Sequence, residues 1–448
     1  MNNNQNKLLN ISPIDGRYSN TTKILSPYFS EFGLFKYRLE IEIYYLVALL
    51  EKLKINMNKK EDVYKITSIG SLFTIEDCIR IKEIENNIKH DVKAVEYFMQ
   101  EKFTKLKIPY ANFIHFGLTS QDINNTAISL SMKDYLNDIF KKDIMTLLTK
   151  LADKVNDWKP IICMSRTHGQ SAVPTSLGKE INVFHYRLKE QLERLNEIKV
   201  YSKFGGAVGN FNAHYCAYPD IDWNRFANNL LYAMGLKRSE CTTQIDNYDN
   251  LGMIFDNVKR ICTILIDFVR DIWHYISIDY LIQNFNLNEV GSSTMPHKIN
   301  PINFENAEGN LMMCVTICEF LSRKLPISRL QRDLTDSTVL RNIGVVFGHW
   351  TIAYKNICDG LLKIYPNKKV IEKDLLDNPI VLTEAYQTIL RKHGYKDAYE
   401  QMKELGRNNT KLTIEQIRDY ISKMSVMGKI KEEMLNVTMT NYIGNALQ

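Results

Sequence analysis

The stretch DNYDNLGMIFDNVKRICTILIDFVRDIWHYISIDYLIQNFN, Asp246 to Asn286, decides the fold. It holds no proline and a single glycine, so nothing within it stops a helix. Ile254, Val258, Ile261, Leu265, Phe268, Ile272, Trp273 and Ile276 place apolar side chains on nearly every side. A helix that is long and apolar all round must be covered on several faces. The simplest cover is a bundle of other helices, including helices from other copies of the chain.

The surroundings agree with an all-α fold. Helical patterns run from Glu31 to Leu53, from Ser71 to Leu106, from Thr119 and Ser120 to Trp158, from Leu177 to Tyr201, and on to about Tyr365. Pro160 closes the third, and strand-like alternation is almost absent. Beyond Pro366, short helical patterns alternate with KHG and GRNN breaks, which reads as a small domain of its own. With 448 residues there is room for two or three cores. Hydrophobic content of 45% and charged content of 24% are those of a soluble enzyme. A net charge of +6 reads first as a solvated surface with some excess lysine and is consistent with a polyanionic substrate, and no cluster of basic and aromatic residues supports nucleic acid. Eight cysteines lie without CxxC pairs near histidine, as in a reduced cytoplasmic core with neither disulfides nor a zinc site. No apolar run reaches membrane-spanning length.

Polar breaks between the helices carry the candidate chemistry. GSSTMPHKINPINFENAEGN, Gly291 to Asn310, begins as a flexible hydroxyl-rich loop. Pro296 and Pro301 bracket Lys298 and Asn300 and forbid regular helix between them. Asn303 is the expected cap of the helix that follows, ahead of Glu305. SRTHGQSAVPTS, Ser165 to Ser176, is a polar turn between helices with His168 at its tip, a better placement for acid/base work than an apolar helix face. Arg17 and Tyr18 in SPIDGRYSN are either a solvated turn or a guanidinium presented to an anion. His90 and Asp91 read as a helix-end pair, and Thr119 and Ser120 as helix caps beside N–H groups that also suit an anion. FGGAVGNFNAH has no strand before it and is not a dinucleotide fingerprint; its glycines serve close packing or an unusual turn. In RLQRDLTDSTVLRNIG, arginines alternate with acids and hydroxyls as on a solvated charged face.

Taken together, GSSTMPHKINP resembles the signature loop of the fumarase/aspartase superfamily, lyases that release fumarate from succinyl compounds. SPIDGRY, KHDVKAVEY, GLTSQDINN, RTHGQ, GGAVGNFNAH and RDLTDSTVLRN extend the resemblance over nearly the whole chain, to the bacterial type of its adenylosuccinate-cleaving family. The resemblance implies three helical domains, here 1–112, 113–364 and 365–448, in a homotetramer whose sites are shared between subunits. It implies release of fumarate from adenylosuccinate and from the succinylaminoimidazole carboxamide ribotide, with no metal, no cofactor, no nucleic acid and no membrane.

Roles also follow from the resemblance. Ser292 is the implied general base, with Ser293 as the rival, and a serine alkoxide requires the loop to close and exclude water. Lys298 and Asn300 would stabilise the carboxylate, His168 would protonate the leaving nitrogen, and Glu305 would orient and charge that histidine. Arg17, Tyr18, Arg332, Ser337 and Arg341 match nucleotide contacts, chiefly to phosphate. Lys89, His90 and Asp91 match a further binding segment, and Thr119, Ser120 and Gln244 match contacts to the succinyl group. Two positions depart from the pattern: Ser171 stands where proline is common, and Asn306 where some relatives carry arginine. An argininosuccinate-cleaving enzyme is the rival within enzymes and a non-catalytic scaffold the rival outside them. The scaffold has no use for Ser292, Lys298 and His168.

Overall fold

A computed structural model describes residues 8–284, 295, 297–408 and 412–447, and these are overwhelmingly helical. Among them no helix is long and apolar enough to cross a membrane. The chain forms two compact units. One comprises 1–144, 191–263 and 309–355; the other comprises 145–190, 264–308 and 356–448.

In the first unit the helix Glu31–Lys52 buries two apolar stripes. Phe35, Leu39, Ile43, Leu46 and Leu50 join a core with Ile81, Val95 and Phe98. Tyr37, Ile41, Tyr45 and Leu49 join another with Ile123, Ala127 and Trp223. The pattern expected from Ser71 to Leu106 is broken into helices Ile75–Ile88 and Asp91–Leu106. Lys89 closes the first in the left-handed region, φ 58°, its N–H donating to the Glu85 carbonyl at 2.7 Å. His90 opens the second as N-cap, its Nδ1 accepting from the Lys93 N–H at 3.1 Å. A lysine does the work usual for glycine at such a stop, so no punctuation in the sequence marked it.

The stretch that decided the fold is helical over Asp249–Ser277, shorter than expected. Asp279 leaves it at φ 60°, and Leu281–Gln283 then pairs antiparallel with Ile364–Pro366. Ile254, Val258, Ile261, Leu265, Phe268 and Ile272 are buried. Met253, Arg260, Asp267, Arg270, Asp271 and Trp273 form a strip that is exposed in the single chain. Of the cysteines, Cys78, Cys163, Cys262, Cys314 and Cys318 are buried and unpaired, as a reduced core requires, whereas Cys216 and Cys241 are exposed.

In the second unit SRTHGQSAVPTS is a two-stranded ribbon rather than a turn between helices. Ile162–Thr167 pairs antiparallel with Gln170–Ser176. His168 and Gly169 are its two-residue tip, both at positive φ, 54° and 73°. That is the backbone a type I′ hairpin turn demands, and it fits the twist of the flanking strands. Met164 anchors the ribbon in the core of the C-terminal region with Leu375, Leu382, Tyr386 and Ile417. The helix after the signature loop runs Ile302–Lys324, so Asn303 is not its cap. The Pro301 carbonyl accepts from Phe304 and Glu305 at 3.0 and 3.2 Å, and the Asn303 amide instead donates to Asn356 at 3.1 Å.

Candidate active site

The first unit contains a cavity of about 620 Å³ whose walls include Lys89, His90, Asp91, Ser120, Arg332, Ser337 and Arg341. Seven positions expected to bind one ligand, drawn from three distant parts of the chain, thus meet in one place. Charge is distributed unevenly around it. The wall carboxylates are already engaged: Lys82 reaches Glu31 and Glu85 at 2.8 and 2.7 Å, and Arg38 reaches Asp91 at 2.7 Å. Lys89, Arg332 and Arg341 add positive charge to this wall, Arg341 sharing Asp91 at 3.2 Å and Arg332 lying 3.8 Å from Asp336, and together they attract an anion.

Asp91 is the hinge of this arrangement. Its Oδ1 accepts from the Val92 N–H, and its Oδ2 accepts from Arg38 and, at 3.2 Å, from Arg341. Burial pushes the carboxyl up, but the Arg38 charge, these hydrogen bonds and Arg341 more than offset it and hold Asp91 below its ordinary value. Arg341 is half exposed at 50%, so it offers a guanidinium that is fixed at one end and open at the other. Arg332 is held differently: it donates to the Gln244 side chain at 3.3 Å and to Ser337 Oγ at 3.0 Å. Its Nε is buried with no hydrogen bond, 3.8 Å from Asp336. Gln244 in turn donates to the Ala207 carbonyl at 3.1 Å. Gln244 supports the arginine, and Thr119, the N-cap before Ser120, donates its N–H to Asp122 at 2.9 Å. Arg17 and Tyr18 lie in the same unit with the guanidinium 5.8 Å from the ring centroid, but not in the cavity wall.

Several supports of this cavity were not singled out in the sequence. Arg38, 4% exposed, lies beneath Asp91 and also donates to Asn124 at 2.8 Å. Glu42, one turn on, is fully buried and bonds His115 at 2.5 Å. Burial lowers the His115 pKa, yet the Glu42 charge and hydrogen bond, with Glu96 and Asp122, bring it out raised. Asp122 and Lys203 form a wholly buried pair at 2.6 Å, and Asp122 also receives the N–H groups of Gly205 and Gly206. The glycine-rich stretch therefore wraps a carboxylate. At Gly209, φ 83°, a Cβ would lie 2.3 Å from the Thr242 carbonyl oxygen, which is the close packing its composition suggested. The signal for Arg38 and Glu42 was faint: two opposite charges four residues apart among apolar neighbours, in a helix that also carries Lys36 and Glu40 on its less buried face.

The acid/base candidates belong to the second unit. His168 is exposed at the ribbon tip, and Lys298 is exposed, its backbone N–H donating to Met295. Asn300 is half-buried. Glu305 is exposed and accepts from Trp273 Nε1 at 3.1 Å; no hydrogen bond joins it to His168 among the described residues. Asn306 accepts from the Asn356 amide at 3.1 Å. Ser292 and Ser293 lie outside the described residues.

Two family profiles match the chain: one described as Lyase over residues 16–318, and one described as Adenylosuccinate lyase C-terminal over residues 328–443. Adenylosuccinate lyase of Dictyostelium discoideum is 49% identical over 452 residues, covering 98% of this chain and 97% of that protein. The adenylosuccinate lyase of Legionella pneumophila strain Philadelphia 1 is 43% identical over 445 residues, with the same coverage. That of Escherichia coli K12 is 40% identical over 445 residues, again with 98% and 97% covered. Among solved structures, fumarate lyase from Mesorhizobium sp. BNC1 superposes with a TM-score of 0.73 at 16% identity, covering 96% of each chain. The 3-carboxy-cis,cis-muconate lactonizing enzyme from Pseudomonas putida gives 0.73 at 19% identity, covering 95% and 96%. At those identities the likeness is one of fold.

Proposed function

Since this chain belongs to the adenylosuccinate lyase family within the fumarase/aspartase superfamily, we propose that it cleaves adenylosuccinate to AMP and fumarate by β-elimination. The succinylaminoimidazole carboxamide ribotide is the second substrate of the same site. The observation that carries this choice is the cavity in which Lys89, Arg332 and Arg341 come together beside acids that are already held in ion pairs, a setting that suits a phosphate. Argininosuccinate has no phosphate to place there.

The base removes a proton from the carbon next to a carboxylate, and that C–H pair becomes the new C=C bond. The C–N6 bond breaks with its electron pair going to N6, which takes a proton from the acid. Ser292 is the base and His168 the acid; Lys298 and Asn300 stabilise the charge that builds on the carboxylate before the amine leaves. Arg341 and Arg332 with Ser337 hold the phosphate, joined by Arg17 and Tyr18. Lys89, His90 and Asp91 line the binding segment beside it, and Thr119, Ser120 and Gln244 serve the succinyl end. Glu305 would have to exchange Trp273 for His168 on closure. The enzyme is a cytoplasmic homotetramer with three domains per chain, and its sites are completed by residues of neighbouring subunits. Exposed Met312, Met313, Phe320 and Trp273 support that assembly.

The test is a fumarate-release assay run in parallel on adenylosuccinate, argininosuccinate, malate and aspartate. Equimolar AMP and fumarate from the first alone is the expected result. Cleavage of argininosuccinate would overturn the phosphate assignment, and silence on all four would return the scaffold reading.

A further inference from the structure

The ribbon that carries His168 is tied down on both strands by two linked residues, Asp374 in the last turn of one helix and Asn378 just beyond its end. Arg166 and Ser171 face each other directly across the ribbon, one pair back from the tip pair Thr167 and Gln170. On one strand Arg166 donates to Asp374 Oδ2 at 2.6 Å and to the Tyr280 hydroxyl at 3.2 Å. Tyr280 donates to the same Asp374 oxygen, and its ring lies under the guanidinium at 5.6 Å. On the other strand Ser171 Oγ donates to Asn378 Oδ1 at 3.2 Å. Asn378 then donates to the Asp374 carbonyl and carboxylate at 2.7 and 3.2 Å, so the two anchors are themselves joined. Asp374 lies in the helix Lys368–Leu376, and all of these residues belong to the second unit.

We propose that Asp374 and Asn378 are positioning residues for His168, acting through Arg166 and Ser171 to hold the ribbon tip at one orientation. The inference rests on the assignment of His168 as the acid that protonates the leaving nitrogen. An exposed two-residue tip has little packing of its own, and its histidine sits in a left-handed conformation that non-glycine residues adopt only when their surroundings enforce it. Met164 fixes the far end of the ribbon in the core. The clamp fixes the near end, two residues from the imidazole. Misplacement of an acid by about 1 Å costs on the order of a hundredfold in rate, so a contact that never meets substrate can still govern turnover. Ser171 adds an anchor that proline, the residue common at this place in the motif, has no donor to supply.

Asp374→Ala is expected to lower kcat for adenylosuccinate by about ten- to a hundredfold, with KM within about twofold of wild type. Asp374→Glu should restore part of the loss. Ser171→Ala, which removes one neutral hydrogen bond, should lower kcat by about fivefold. Amide hydrogen exchange, followed by mass spectrometry, gives a readout independent of turnover. Exchange across 166–171 should quicken by roughly tenfold in Asp374→Ala, while the helix Leu177–Glu197 is unchanged. Unchanged exchange in the ribbon, or full kcat in the folded Asp374→Ala enzyme, would overturn the clamp. Faster ribbon exchange in a protein whose wild type releases no fumarate would leave the clamp standing and refute the assigned reaction. Should Asp374→Ala fail to fold, Asn378→Ala and Ser171→Ala carry the same two measurements.

Discussion

The cavity of the first unit and the ribbon and loop of the second are built on opposite principles. Around the cavity, charged side chains are buried and committed: Arg38 to Asp91, Glu42 to His115, Lys203 to Asp122. Arg38 and Lys203 each have a second acceptor, Asn124 and the Gly206 carbonyl, which helps a charge stay in a dry interior, whereas Glu42 Oε2 is buried with no hydrogen bond. Arg332 and Arg341 project from this foundation. In the second unit His168, Lys298 and Glu305 are all exposed in the single chain. Groups that only hold an anion can be fixed in advance by folding. Groups that must meet a reacting atom in the absence of water gain from being assembled around it as a loop closes. Binding should therefore survive damage to the second region, and chemistry should not.

The sharpest attempt to break that contrast is His168→Ala. Loss of a general acid should lower kcat by about 10²- to 10⁴-fold with KM little changed, as read by steady-state fumarate release. A large rise in KM would move the histidine into the binding set. Arg38→Met attacks the foundation of the other region. Removing one partner of a buried pair should cost about 3 kcal/mol of stability, seen by urea unfolding, and should weaken substrate binding as Asp91 loses its anchor. Arg332→Met should raise KM by about ten- to a hundredfold, the value of a charge-assisted hydrogen bond, and leave the fold intact.

The smallest effect concerns pH. Asp91 is held below its ordinary value, so the stability it contributes is present above the usual carboxylate range and is lost as pH falls through its depressed pKa. Asp143 in the same unit has the opposite sign. Burial raises it to about 6, which the Trp350 N–H at 3.2 Å only partly counters. Its contribution is most favourable when protonated and is lost as pH rises from about 4 through about 6. Asp143→Asn should then be more stable than wild type at pH 8, by about 1 kcal/mol, and no more stable at pH 4. Equal stability at both would remove burial as the cause.

Much of this was legible in the sequence, for identifiable reasons. The long helices announced themselves through unbroken apolar periodicity, as in Asp249–Ser277. Lys89, His90, Asp91, Arg332 and Arg341 were singled out because they fall in recognisable motifs, although in isolation each looked like a helix end or a solvated face. His90 is in fact both, an N-cap and a cavity wall. The ribbon was missed because His-Gly at a hairpin tip sits between strands too short and irregular to alternate, with a register shift between Met164 and Arg166. Arg38 was missed because periodicity assigns a residue to a helix without saying which neighbours bury it. Asp374 and Asn378 are some two hundred residues from the ribbon they brace, a distance no local pattern spans.

Equilibrium binding of AMP to purified variants, by titration calorimetry, tests the division between a preformed binding region and an exposed reacting region most directly. His168→Ala should bind AMP within about twofold of wild type, whereas Arg332→Met should bind at least about tenfold more weakly. Weakened binding in His168→Ala together with wild-type binding in Arg332→Met would contradict it.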